Sequence, residues 1–489
     1  MAKKSILKNY TYHLAYQILV LILPLITTPY VSRVLGAEAI GIYGYTYSIV
    51  TYFILFGSLG IALYGQREIA YAQENKKARM KAFVEIILFR FVTMTVSILA
   101  YYFFFVKGGE YQVYYKILMI ALIASAFDIS WFYQGLEEFK KTVLRNIIVR
   151  LASVTLVFCI VKTPEDLIKY TLIYSLADFI GNISLWFYLP KYFKGVKIEN
   201  INIKKHIPQI CLLFIPQIAH QIYNMLDKTM IGMIISDKSE VGYYEQAQKI
   251  IRILLTIVTS LGTVMIPRMA STFASGDTKK VNEYMKKSFN FVFLLSFPLM
   301  FGIASVSEPF VPIFFGQGYD KVVLLITIIC PIVLLMGVAN VIGTQYLLPT
   351  KRQKEYTICT VIGVIVNFIL NYILISRYES IGASIATVAS QLVVDIGLFY
   401  VIRKEIKPMS IIKLSYKYII AGILMFCVCF TIKHFISSGV VSIIAQVAAG
   451  ALVYFALLFK LKDEFILEMF QKVKEKFNLI KNKLNRKKA

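Results

Sequence analysis

Four polar residues in the 489-residue sequence stand inside a long apolar run: Gln217, Gln221, Asn224 and Lys228. Their spacings of 4, 3 and 4 put them on one face of a helix, with His220 and Asp227 flanking it. Further along, Glu245, Lys249 and Arg252 repeat the 4 and 3 spacing. A polar face on an apolar helix needs water or a polar partner, so this pattern predicts a wet cavity. Cations outnumber acids on these two helices, and the first apolar run ends at a further cation, Arg33. The chemistry that fits is electrostatic capture of an anionic head group such as a phosphate, which Arg and Lys hold strongly at low dielectric. Asp128, Asp178 and Glu245 are acids inside apolar runs, and such groups serve as proton- or ion-coupling sites. Arg90, Arg150 and Asp395 are further charges of this kind. For any one of them the competing reading is a structural ion pair or a side chain snorkelling to an interface, and Arg33 is most open to that.

No pattern for covalent or metal chemistry accompanies these residues. There is no phosphate-binding loop, and His13, His206, His220 and His434 are scattered without metal-ligand spacing. The expectation is a protein that is not an enzyme and needs no cofactor.

The elements that must hold these residues are membrane helices. The chain is 58% apolar and 17% charged, with mean hydropathy +0.66, well to the apolar side of soluble domains. Apolar windows fall at 10–32, 40–63, 84–106, 113–135, 143–161, 167–189, 209–235, 243–266, 288–306, 322–348, 357–376, 380–402, 415–435 and 439–459. Each approaches the ~20 residues that cross a bilayer. The fifth is the weakest, because it contains Arg145 and Arg150. The net charge of +25 would suggest nucleic acid in a soluble protein. Here it follows the positive-inside pattern, and no nucleic-acid partner is expected. With the N-terminus inside, the outer segments hold only Arg33, Lys107, Lys116, Lys162, Lys169, Lys238, Lys321, Arg377 and Lys433. The prediction is an all-α polytopic membrane protein with fourteen transmembrane helices and both termini cytoplasmic. The first window lacks a small-residue cleavage site and reads as a spanning helix rather than a removed signal. Cys159, Cys211, Cys330, Cys359, Cys427 and Cys429 lie in or beside apolar runs and read as small core residues.

Ile40 to Val50, IGIYGYTYSIV, recurs loosely as Val241 to Ile251, VGYYEQAQKII. Six predicted helices separate the copies, so both keep the same orientation. This predicts two pseudo-symmetric six-helix bundles, 1–200 and 201–408, related by an axis along the membrane normal. Two additional helices occupy 409–460, and 461–489 forms a basic cytoplasmic tail. In that tail Ile466, Met469, Phe470, Val473, Phe477, Ile480 and Leu484 recur at helical spacing, as in an amphipathic helix lying on anionic lipid. A frayed, solubilising tail is the alternative.

Several strings then resemble a known family. TTPYVSRVLG (Thr27 to Gly36) with the following IGIYGYTYSIV, then FFGQGY (Phe314 to Tyr319), GTQYLLPTKR (Gly343 to Arg352) and IGASIATV (Ile381 to Val388), are similar to the Wzx-type polysaccharide flippases. These belong to the multidrug/oligosaccharidyl-lipid/polysaccharide exporter superfamily. The resemblance covers about residues 1–400 in the same order. It implies two six-helix lobes around a central cavity that opens to alternate sides of a bacterial cytoplasmic membrane. It implies as cargo an undecaprenyl-diphosphate-linked oligosaccharide, a surface-polysaccharide or teichoic-acid-type precursor moved from the cytoplasmic to the outer leaflet. Arg33 lies within a matching string and is a candidate diphosphate ligand on that ground. Lys228, Lys249 and Arg252 are candidates from helix faces alone. Coupling to H+ or Na+ is compatible with the resemblance, and nothing in the sequence implies an oligomer. A multidrug/cation antiporter of the same superfamily is the alternative, but cationic cargo favours an acidic cavity. A membrane polymerase of the same pathway would need a large outer loop, and the loops are short. A purely structural membrane protein would not need the polar stripe.

Overall fold

The computed structural model describes residues 6–197, 199–406, 408–436, 439–471 and 474–475. Regular structure among them is helical throughout. In chain order the helices are α1 (Ile6–Ser58), α2 (Ile61–Tyr71), α3 (Lys76–Tyr101), α4 (Gln112–Ala126), α5 (Ser130–Gly135), α6 (Phe139–Ile160), α7 (Leu167–Trp186), α8 (Pro190–Phe193), α9 (Ile207–Ile234), α10 (Ser239–Thr259), α11 (Gly262–Ala274), α12 (Thr278–Phe315), α13 (Asp320–Ile329), α14 (Ile332–Ala339), α15 (Gln353–Ile402), α16 (Pro408–Phe435) and α17 (Val440–Lys460). Among the described residues, ten helical segments are long and apolar enough to cross a membrane. The number is eleven if the bent pair Ser239–Thr259 and Val264–Ala274, 41° apart, counts as one span. Large apolar side chains stand exposed on their outer faces, among them Val92, Val96, Ile180, Ile396 and Leu452. Water penalises such surface and lipid does not, so the chain is a multi-pass membrane protein.

The helix α1 runs to 53 residues and α15 to 50, beyond what one crossing needs. Each is two helices joined at a single residue off the helix. Gly36, with φ 78° and ψ 173°, is the joint in α1. Nothing lies within 4 Å of where its Cβ would be, so the demand there is for a positive φ, which glycine meets without strain. Glu379, with φ 53° and ψ −132°, is the joint in α15. The helix beginning after it is anchored by the buried Glu240, whose carboxylate accepts from the Ser380 N–H at 3.2 Å and the Ser380 hydroxyl at 2.6 Å. A carboxylate at a helix start is favoured by the unsatisfied N–H groups there.

The chain folds into two compact units. One comprises 1–245, 315–318 and 371–383; the other comprises 246–314, 319–370 and 384–489. In the first, an aromatic core around Phe83, Trp131, Phe132 and Tyr133 ties α2 and α3 to α5. In the second, α16 and α17 pack as a pair, and Tyr454 on α17 donates to the Leu294 carbonyl of α12 at 3.1 Å.

Within the first unit, the two copies of the repeated string meet. A methyl group on Gly41 would lie 1.7 Å from the Lys238 carbonyl oxygen, and one on Gly242 would lie 2.0 Å from that of Ala37. The offset is 201 residues in both cases, from Gly41 to Gly242 and from Ala37 to Lys238. The crossing is therefore reciprocal, each glycine seated on the carbonyl that precedes the other copy. The Lys238 ammonium folds back on the end of α9, donating to the Gly232 and Ile235 carbonyls at 2.8 Å each. Burial pulls its pKa below the usual lysine value, against the opposing pull of Glu110 and Asp237.

Four expected spans are not continuous. The window 40–63 breaks after Ser58, and the window 243–266 breaks after Thr259. The window 113–135 breaks between α4 and α5, and the window 322–348 breaks after Ile329 and ends in a π-helical stretch, Asn340–Leu347. Of the tail, 464–471 is helical and Ile466 is buried, while Met469 and Phe470 are exposed. Val473, Phe477, Ile480 and Leu484 lie outside the described residues, as does the side chain of His220.

Candidate functional site

The break between α4 and α5 uses one of the charges singled out in the sequence. The last carbonyls of α4 have no partner in their own helix. Arg90 of α3, 2% exposed, supplies one, donating from Nε (3.0 Å) and Nη2 (2.6 Å) to the Ser125 carbonyl. A cation at a helix C-terminus also complements the dipole. Trp186 donates to the Phe127 carbonyl at 2.7 Å, and Asp128 accepts from the Ser130 N–H at 2.9 Å, opening α5. Asp128, a sequence candidate for ion coupling, thus has a capping role at this break.

The first unit holds a polar cavity of about 250 Å³. Tyr43 and Tyr47 of α1, Arg145, Asn146, Arg150 and Ser153 of α6, and Tyr174, Ser175 and Asp178 of α7 line it. The tyrosines are ordered by each other. Tyr43 stacks on Tyr47 at 5.5 Å and meets Tyr170 edge-on at 5.1 Å, and Tyr170 meets Tyr174 edge-on at 4.9 Å. Arg145 donates to the side-chain Oδ1 of Asn182 at 3.0 Å, and the Asn182 side-chain amide in turn donates to the Ala124 backbone carbonyl at 2.8 Å. Gly181 lets α7 approach α6, since a Cβ there would lie 3.1 Å from Val149 and 3.3 Å from Arg145. Arg150 and Asp178 are exposed to the cavity.

On α9, Lys228 is buried and forms an ion pair with Glu245. Spacing along α10 made Lys249 the natural neighbour of Glu245; the tertiary contact is with Lys228 on the facing helix. One residue back, the buried Asp227 accepts from the Tyr244 hydroxyl and from Asn371 at 2.6 Å. Asp227 was named in the sequence only as a flank of the stripe, yet it ties three segments together. Gln217, Gln221 and Asn224 are half-buried along α9, and Gln217 donates to the Leu213 carbonyl at 3.3 Å. Arg33 is exposed just before the Gly36 joint, and a Cβ on Gly316 would lie 2.8 Å from its Cγ.

Lys249 and Arg252 belong to the second unit, Lys249 half-buried and Arg252 exposed. Among the described residues Arg252 makes no ion pair. That unit also contains an apolar cavity of about 310 Å³, lined by Leu254, Leu299, Val306, Met425, Ala451 and Phe455, among others. The structure thus joins Lys228 to Glu245 and places Asp178 in the tyrosine cavity. Arg145, Tyr43, Tyr47 and Tyr174 line that cavity and were not among the candidates taken from the sequence. The available signal was the pair of arginines that made the fifth window a poor span.

The family model for polysaccharide biosynthesis proteins matches residues 6–273, and that for the lipid II flippase MurJ matches residues 185–450. A protein of Escherichia coli (strain K12) named as an O-antigen transporter is 27% identical over 405 residues, covering 82% of this chain and 97% of that protein. The capsular polysaccharide biosynthesis protein CapF of Staphylococcus aureus is 22% identical over 412 residues, covering 81% and 99%. Among solved structures, lipid II flippase MurJ in an inward closed conformation superposes with a TM-score of 0.71 at 17% identity, covering 94% of this chain and 100% of that one. An inward-facing multidrug transporter of the MATE family superposes with a TM-score of 0.63 at 12% identity, covering 80% and 94%. The fold is MurJ-like, and the chain belongs to the polysaccharide biosynthesis protein family, with the lipid II flippase MurJ family matching its later part as well.

Proposed function

We propose that the protein is a flippase that carries an undecaprenyl-diphosphate-linked oligosaccharide from the cytoplasmic to the outer leaflet of a bacterial cytoplasmic membrane by alternating access. The observation that carries this reading is the charged face of α9 inside a lipid-facing helical bundle, with Lys228 on Glu245 and Asp227 on Tyr244 and Asn371. Charges at membrane depth are costly, and a permanent set of them is expected where a polar cargo passes. The relatives named for O-antigen and capsular polysaccharide support the cargo class. Arg33, Lys228, Lys249 and Arg252 are the proposed diphosphate ligands, since a cationic set suits a dianionic head better than a cationic drug.

Fourteen helices with both termini cytoplasmic, in lobes 1–200 and 201–408 followed by 409–460, remain the preferred topology. The joints at Gly36 and Glu379 divide two of the ten apolar segments, and α9 is about 42 Å long at 1.5 Å per residue, enough for a crossing of its own. Energy comes from an ion gradient or the membrane potential. Of the three acids considered, Asp128 caps a helix and Glu245 pairs with Lys228, which leaves Asp178, in the cavity, as the preferred coupling group. The test is depletion of the protein in cells followed by transport in reconstituted vesicles. Accumulation of a lipid-linked precursor on the cytoplasmic leaflet, and gradient-dependent movement in vesicles, are the expected results. Depletion without any lipid-linked intermediate accumulating would eliminate the reading.

A further inference from the structure

Resting on the flippase reading, we infer that the tyrosine-lined cavity of the first unit is a recognition site for one sugar ring of the cargo, and that this ring carries a single negative charge. The cavity volume, about 250 Å³, is that of a monosaccharide-sized group and not of a whole repeat unit. Its walls are of two kinds. Tyr43, Tyr47 and Tyr174 offer aromatic surface with hydroxyl tips, which suits the apolar face and hydroxyl rim of a pyranose. Arg145, Arg150 and Asp178 supply the charges.

The charge balance selects the ligand. Two guanidiniums against one carboxylate leave one positive charge. Arg145 is steadied by Asn182, whereas among the described residues the Arg150 guanidinium makes no hydrogen bond or ion pair. Arg150 is the twelfth of the 22 residues of α6, so it stands about 16 Å from either end of the helix. A guanidinium at that depth is expensive without an anion, and a bidentate carboxylate matches its fork. Asp178 argues against the carrier diphosphate as the occupant. A diphosphate has only acceptors and would meet the carboxylate as a like charge. A sugar brings hydroxyl donors, which Asp178 can accept, while its own acidic substituent faces Arg150. A uronic acid is the simplest ring with both properties.

Full-length protein in lipid nanodiscs would be titrated with three probes: undecaprenyl diphosphate, the same lipid bearing glucose, and the same lipid bearing glucuronate. The wild type is expected to bind the glucuronate probe roughly tenfold more tightly than the glucose probe, equivalent to about 1.4 kcal/mol. Arg150→Gln should abolish that difference, and Tyr174→Ala should weaken both sugar-bearing probes. Arg150→Lys, which keeps the charge but not the fork, should retain part of the preference and serves if the glutamine variant does not fold. Equal binding of the two sugar probes by the wild type overturns the acidic-sugar assignment and leaves the flippase reading intact. Loss of affinity for all three probes in Arg150→Gln, undecaprenyl diphosphate included, would show that the cavity holds the diphosphate instead. Failure of the wild type to bind any of the three removes the flippase reading on which the inference rests.

Discussion

At the scale of single residues, the charges of α9 and α10 differ in what they already touch before any cargo arrives. Lys228 and Glu245 satisfy each other in a largely buried setting, so removing one partner strands the other. Lys228→Ala is expected to destabilise the protein by about 3–5 kcal/mol, seen as a lower thermal midpoint in detergent. The double variant Lys228→Ala/Glu245→Ala should recover much of that stability, because no lone charge is left behind. If the double variant is as unstable as the single, the pair is not what holds α9 to α10. Arg252 presents the opposite case, exposed and without an ion pair among the described residues. Arg252→Ala should be expressed and inserted normally yet fail to support polymer export, while Arg252→Lys should retain partial export. Wild-type export by the alanine variant would shift the diphosphate site to Lys228 and Arg33.

Among the elements, the reciprocal crossing of the two repeat copies is the tightest contact, because backbone meets backbone. Gly41 and Gly242 are needed there for space rather than for φ: any side chain collides with a carbonyl that cannot rotate away. Gly41→Ala and Gly242→Ala should each cost about 1–3 kcal/mol, the usual penalty of overpacking. Gly108→Ala, where no atom lies within 4 Å of the new methyl group, provides the control and should leave the thermal midpoint unchanged. Equal midpoints for all three variants would mean that the crossing contributes nothing to stability. The broken α4–α5 segment shows the complementary rule. A helix interrupted inside an apolar bundle persists because Arg90, Trp186 and Asp128 each satisfy a backbone group that the break exposes.

For the molecule as a whole, the charge alternation fixes a testable topology. Single cysteines at Lys107, Asp237 and Lys433 should react with an impermeant reagent in intact cells, and those at Lys140, Lys279 and Lys351 should not. Asp237 is chosen over its neighbour Lys238 because Lys238 is buried against the end of α9, where a cysteine would be shielded whichever side it faced. Labelling at Lys279 would overturn the fourteen-helix arrangement.

The sequence by itself determined that the chain is helical, membrane-spanning and polar along α9, because hydropathy and periodicity are local properties that any fold must respect. It also located the joints of α1 and α15, between the windows 10–32 and 40–63 and between 357–376 and 380–402. Five family strings in order carried the family. The partners were decided only by the tertiary structure. Glu245 is nearest Lys249 along its own helix, but Lys228 reaches it from the facing one. Arg90 and Arg150 look alike in sequence, each an arginine in an apolar run, yet one caps α4 and the other faces a cavity. Nothing in the sequence marks Tyr43, Tyr47 and Tyr174 as one lining, since the space they enclose exists only once α1, α6 and α7 are packed. A side chain's depth is written in its own segment, but what it faces depends on residues a hundred positions away.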